Sequence, residues 1–259
     1  MFSSISNAQE IPVETECADT LFKLARHRAQ ATPDVVGYTF LVDGDTEEQD
    51  LTYWELDQRA RYIAAKIQTI CQPGDHVLLM HGPGLDYIVA FFACQYAGVI
   101  PVPAYPPDPM RAHRTLARLR AQASDCGASL ALGRSEDVRW VGLLATSELG
   151  LQQTLCTDPW QEWAGLPWTA PETNADQIAF LQYTSGSTTA PRGVMVSHRN
   201  LWNQFETTRV DDRDDTVGVS WLPFYHDMGL IGGILTPIGF CRPGSERASR
   251  WDRASRAEP

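Results

Sequence analysis

Two kinds of apolar pattern alternate along this chain. Spacings of three and four residues mark helices, and short unbroken apolar runs bounded by Gly or Pro mark buried strands. Residues 20–30, TLFKLARHRAQ, show the first pattern, with Thr20 placed to cap it. The stretch VVGYTFLVDGDTEEQDLT predicts two strands about a turn at Asp43-Gly44. Thr52 and Glu55 form a capping-box pair before a helix whose apolar face is Leu56, Ala60, Ile63, Ala64 and Ile67. After Pro73-Gly74, HVLLM predicts a buried strand, LDYIVAFFACQYAG an apolar helix and VIPVPAY a second strand. Strand, helix, strand with short connections points to a parallel sheet.

The alternation continues. AHRTLARLRAQASDCG predicts a helix and ASLAL a strand. Residues 134–172 give mixed signals and hold Trp140, Trp160, Trp163 and Trp168. QIAFLQYT and GVMVS predict strands on either side of a polar loop, and Ser197 is placed to cap HRNLWNQFETTR. TVGVSWLPF predicts another strand and MGLIGGILTPI a helix. The pattern is that of an α/β protein, and no internal repeat is visible. From Cys241 the periodicity stops: five arginines and three acids give the last stretch a net charge of +2, leaving −13 for residues 1–240. We expect a disordered tail there, of the kind a shifted reading frame would produce.

Composition narrows the class. The chain has 259 residues, 43% hydrophobic and 20% charged, an ordinary globular balance. A net charge of −11 argues against a nucleic-acid partner. Of the six cysteines none form a C-x-x-C pair, so buried thiols in a reducing compartment are expected. The N-terminus has no basic start and no apolar run, and no segment has the apolar length of a membrane helix. The expected location is cytoplasmic, with no membrane partner.

The polar loop is the chemical signal. YTSGSTTAPRGVMVSH, Tyr183 to His198, carries small and hydroxyl residues with one cation, Arg192. Small residues let backbone N–H groups approach an anion, hydroxyls add donors, and a cation offsets charge. Such a loop between two strands is placed as a phosphate site rather than a linker. It lacks the G-x-x-x-x-G-K-[ST] pattern of a Walker A loop. The stretch resembles the phosphate signature T-S-G-[ST]-T-G-x-P-K-G-V of adenylate-forming enzymes. Thr189 stands where that pattern has Gly and Arg192 where it has Lys; Arg keeps the charge with a forked geometry, and Thr removes a position free to take positive φ. SWLPFYHDMGLIGGIL, from Ser220, and GVIPVPAYPPDP, from Gly98, resemble two further segments of one branch, the fatty acyl-AMP ligases.

This resemblance covers residues 18–238. It implies an incomplete N-terminal AMP-binding domain over residues 18–240, with mostly parallel sheets flanked by helices, after an extension at 1–17 and before the tail at 241–259. It also implies an enzyme that joins ATP and a fatty acid as acyl-adenylate, with pyrophosphate released. The acyl group would then pass to a phosphopantetheine thiol on an acyl carrier protein, or to coenzyme A. By matching position, Thr184, Ser185, Gly186, Ser187, Thr188, Thr189, Arg192 and Gly193 would hold the ATP phosphates, Thr188 would also hold magnesium, and His226 would sit beside the carboxylate and α-phosphate.

Each assignment has a plainer counterpart. His226-Asp227 reads equally as a hydrogen-bonded structural pair, and a metal site there lacks further ligands at workable spacing. HGPGLDY has Gly82 and Gly84 but Tyr87 where a dinucleotide fingerprint needs Gly, so it reads as a strand-to-helix turn. No G-x-S-x-G occurs. Arg111, Arg114, Arg118 and Arg120 read as a solvated helix face. The resemblance further implies a T-G-D motif, a glycine-rich adenine segment and a late lysine. None is present: the lysines are Lys23 and Lys66 alone. The expectation is therefore a front portion of a ligase, inactive by itself. The alternatives are part of an acyl-CoA synthetase, a nonenzymatic remnant, or a half-domain completed by another chain.

Overall fold

The computed structural model describes residues 18–105, 112–138, 149–183, 192–208, 217–239 and 249–252. Its centre is a four-stranded, all-parallel sheet in the order β4-β3-β5-β6. The strands are β3 (His76–Leu79), β4 (Ile100–Pro103), β5 (Leu130–Gly133) and β6 (Gln153–Cys156). Alternation divides their side chains. Val77, Leu79, Leu130 and Leu132 enter the core on one face, and Leu78, Met80, Val102 and Ala131 enter the core on the other. Both faces are covered, as the unbroken apolar runs require.

On the first face lie α1 (Leu21–Ala31), α2 (Tyr53–Gln68) and α3 (Leu85–Ala97). Thr20 accepts the Lys23 N–H, and the Thr52–Glu55 capping box forms in both directions. In α3 every residue except Asp86 is buried, so FFACQYAG is core. Gly98 ends α3 in the left-handed conformation, at φ 75°. Buried Asp57 of α2 joins the three helices: it pairs with Arg26 at 2.8 Å and Arg61 at 2.9 Å and accepts from Tyr96 Oη at 2.8 Å. On the second face Leu119 and Ala123 of α4 (Ala112–Cys126) pack with Leu181 and Tyr183.

A second sheet has the order β2-β1-β10-β9. β1 (Val36–Leu41) and β2 (Glu48–Thr52) are the expected hairpin about Asp43-Gly44. β9 is Gly218–Ser220, and β10 is Ser249–Asp252, parallel to both neighbours. This last strand differs from the expectation of a tail without structure: a short extended segment takes a place between two sheet edges whatever its periodicity. The hairpin of β7 (Ile178–Tyr183) and β8 (Gly193–Ser197) leads into α5 (His198–Thr207), capped by Ser197 in a box with Asn200.

Two other regions depart from the sequence reading. The ambiguous stretch 134–172 contains β6 and a 3₁₀ turn at Trp160–Trp163. Its tryptophans close the helical face: Trp160 stacks on Tyr62 with centroids 6.0 Å apart, and Trp168 Nε1 donates to Tyr96 O at 2.9 Å. Trp140 lies outside the described residues. The run MGLIGGIL is a π-helix, Met228–Leu235, continued by α6 (Thr236–Gly239). Its wider turn is seen where Thr236 N–H reaches Ile231 O, five residues back. Short π segments inside helices are frequent at functional sites.

Candidate active site

The three motif segments meet at Tyr225. β7 delivers Gln182 and Tyr183 to the start of the polar loop, and the Gln182 carboxamide donates from Nε2 to Tyr225 O at 3.0 Å. Tyr105, in the Pro-rich segment, packs edge-on against the Tyr225 ring at 4.9 Å. From α3, buried Tyr87 donates its hydroxyl to Phe224 O at 2.9 Å. Burial raises the Tyr87 phenol well above its ordinary range, so it stays a donor at any physiological pH. The backbone just before His226 is thus held by donors from a helix and a strand.

The turn itself is tight. His226 N–H donates to Pro223 O at 3.0 Å, and Leu230 N–H donates to His226 O at 2.8 Å. A Cβ on Gly229 would stand 2.1 Å from Pro223 O, so only glycine fits there. The His226 imidazole is 58% exposed. Its Nδ1 lies 2.5 Å from Asp227 Oδ1, far closer than the 3.4 Å contact from Met228 N–H. Asp227 thus occupies the Nδ1 side of the ring and leaves Nε2 as the open ring nitrogen. Asp227 also caps the π-helix, accepting Met228 N–H at 2.7 Å. The structural pair read from the sequence therefore exists, and it orients a histidine that remains accessible.

The loop's two ends also meet. Tyr183 is the register partner of Gly193. A Cβ at Gly193 would stand 3.0 Å from the Tyr183 ring, so the glycine permits this close approach. Tyr183 Oη donates to Asp125 Oδ2 of α4 at 2.5 Å, tying the base of the loop to that helix. Arg192 is exposed at the loop's far end. Thr184, Ser185, Gly186, Ser187, Thr188 and Thr189 lie outside the described residues, as does Arg111. The structure thus brings Arg192 and Gly193 to the mouth of the hairpin and His226 to the neighbouring turn. Among the described residues no group of three or more His, Cys, Asp and Glu side chains could hold a metal. A separate cleft of about 250 Å³ is lined by Gln95, Glu172, Thr173 and His198 with other residues, among them Gly98 and Ile100 at the start of the Pro-rich segment; neither Arg192, Gly193 nor His226 lines it.

The anchors Gln182, Tyr87 and Gly229 were not singled out by sequence reasoning. A signal existed for one of them: Gln182 is a lone amide inside the apolar run IAFLQY, and a buried polar side chain in such a run needs a partner.

A model of the AMP-binding enzyme family matches residues 25–240. The chain belongs to that family. Among curated relatives, the medium-chain-fatty-acid–[acyl-carrier-protein] ligase JamA of Moorena producens is 37% identical over 226 residues, covering 85% of this chain and 38% of that protein. The long-chain-fatty-acid–AMP ligase FadD32 of Mycolicibacterium smegmatis is 35% identical over 240 residues, covering 87% of this chain and 38% of its own length. Among solved structures, the fatty acyl-adenylate ligase from L. pneumophila in complex with acyl adenylate and pyrophosphate superposes with a TM-score of 0.78 at 36% identity, over 92% of this chain and 40% of that one. This AMP-binding family member therefore spans about 40% of the length of the curated relatives it matches. Among the described residues no helix is long and apolar enough to cross a membrane.

Proposed function

We propose that this chain is the phosphate-binding part of a cytoplasmic, ATP-dependent fatty acid ligase that forms an acyl-adenylate. The single observation that carries the reading is the convergence on Tyr225, which puts the start of the polar loop beside the His226 turn. Such an arrangement addresses both ends of a nucleoside triphosphate. Thr184, Ser185, Gly186, Ser187, Thr188, Thr189, Gly193 and Arg192 take the β- and γ-phosphates. His226, with Asp227 beside Nδ1, turns Nε2 outward, and as an Nε2–H donor it takes the α-phosphate oxygen beside the approaching fatty acid carboxylate. The reaction brings two anions together, so catalysis rests on positioning and on donors aimed at developing charge. A loop of hydroxyls with one guanidinium fits ATP as a donor set. For magnesium, a hydroxyl with phosphate oxygens is the usual combination, and Thr188 would hold the ion, which would offset phosphate charge.

The acceptor follows from the relatives rather than from any residue described here. JamA is named for an acyl carrier protein, and we infer a carrier-protein phosphopantetheine as acceptor, with coenzyme A as the alternative. The chain as given has lysines only at 23 and 66. We infer that it binds MgATP but does not complete adenylation alone. Calorimetric titration with MgATP tests the first half: binding that Arg192→Ala weakens roughly tenfold supports it, as loss of one charge-assisted contact predicts. Absence of any MgATP binding by the folded chain overturns it. Fatty-acid-dependent exchange of pyrophosphate into ATP by the purified chain would overturn the second half.

A further inference from the structure

Gln182 presents an unusual balance of satisfied and unsatisfied atoms. Its side chain is 6% exposed. Nε2 donates to Tyr225 O at 3.0 Å and makes a longer contact, 3.5 Å, with Tyr183 O. Oε1 is buried and has no hydrogen-bond partner. A buried acceptor without a partner is a standing cost, and an apolar side chain of the same volume would avoid it. What an apolar side chain lacks is the amide's two N–H donors, which face two backbone carbonyls. One carbonyl belongs to Tyr183, the last residue before the polar loop. The other belongs to Tyr225, the residue before His226.

We propose that Gln182 is a positioning residue that holds the His226 turn in register with the base of the phosphate loop. The proposal rests on the adenylation reading for what that register serves, because the two segments are the ones assigned to opposite ends of the triphosphate. The clamp itself is a statement about this chain's own backbone. It needs an amide specifically. A carboxylate at 182 would set acceptor against acceptor at both carbonyls, and only its protonated form could donate one hydrogen. Tyr87 and Tyr105 hold the same turn from α3 and from the Pro-rich segment. Gln182 is the side chain that joins it to the strand running into the loop.

Two variants test this, with readouts on the chain itself. Gln182→Met keeps the volume and is expected to fold, since volume-conserving changes are well tolerated. Gln182→Glu keeps the shape and reverses the polarity. Backbone hydrogen exchange at Tyr225–Met228 should rise roughly tenfold in Gln182→Met at every pH, as loss of one hydrogen bond predicts. In Gln182→Glu it should rise at neutral pH and fall back as the carboxyl is protonated. MgATP affinity should fall in parallel in both. A purely space-filling role predicts unchanged exchange at 225–228 in folded Gln182→Met and no pH-dependent recovery in Gln182→Glu, and that result overturns the proposal. The readings separate cleanly: an unaltered chain that fails to bind MgATP refutes the functional assignment, whereas the exchange pattern decides the clamp.

Discussion

The β3–β6 layer and the region from β7 to the π-helix are built to different standards of burial. In the first, β3 and β5 are buried along almost their whole length and α3 is covered on all sides but Asp86. In the second, Val194 and Met195, consecutive in β8, are both exposed, and so are Val219 and Trp221 of β9 and its following turn. Consecutive strand residues point to opposite faces, so β8 is open on both. The proposed catalytic residue and the described phosphate-loop residues belong to this second region. The first layer is stabilised by its own packing. The second shares the core through β7 and the buried face of the π-helix, but β8 and β9 are left open, and the turn before His226 is held by directed contacts at Phe224 and Tyr225. Stability and site geometry should therefore respond to different substitutions.

The sharpest way to break this contrast is at Phe92, fully buried in α3. Phe92→Ala should destabilise the chain by about 4 kcal/mol, read as a shift in urea midpoint with unchanged slope. If the loss is under about 1 kcal/mol, the first layer is not the stabilising unit.

Gly229→Ala should act on the other side. The added Cβ meets Pro223 O, so the turn must open, at a cost of about 2 kcal/mol. The larger expected effect is local: MgATP affinity should fall more than in Phe92→Ala measured under folding conditions. Equal loss in both variants would remove the distinction.

Acid provides a third comparison, because each region carries one buried histidine. His81, at the end of β3, bonds Thr157 at 2.8 Å; His198, at the start of α5, accepts Leu21 N–H at 3.3 Å. Burial lowers both from 6.5 to about 4. Between those values the unfolded chain binds the protons and the folded chain does not, so stability falls as the pH drops from 6.5 towards 4. His81→Asn and His198→Asn should each remove up to one proton from that slope. Melting temperature against pH checks it, and a slope unchanged in both variants would exclude buried neutral histidines.

The smallest effect is expected at the open surface. Met195→Lys should change stability by no more than about 0.5 kcal/mol while reducing binding of an apolar fluorescent dye. A large loss of stability would mean that β8 is packed after all.

The same contrast governs how much could be read in advance. Thr20, Thr52 and Ser197 announced their helices because capping is decided within four residues. HVLLM and the α3 run announced themselves because full burial leaves an unbroken apolar signature. GVMVS was legible as a strand but not as an exposed one, since burial depends on what packs there. MGLIGGIL has the same composition whether its bonds close after four residues or five, so the π-helix was hidden. The residues at 249–252 took a strand position with no apolar period to mark it. For the proposed site, His226 and the loop were singled out by motif resemblance, whereas Gln182 and Tyr87 bond backbone carbonyls, which leave no trace in side-chain pattern.

The bond from Tyr38 Oη to Ile234 O spans 196 residues, and that from Tyr87 to Phe224 spans 137. Closing such long stretches of chain is entropically slow, and contacts of this separation form after local ones. During synthesis, α1 to α3 and the first parallel strands can pack before residues 224–235 have left the ribosome. The His226 turn has no short-range route to its conformation beyond its own few hydrogen bonds. It is set in place by a body already folded, so binding competence should lag compaction in a refolding time course.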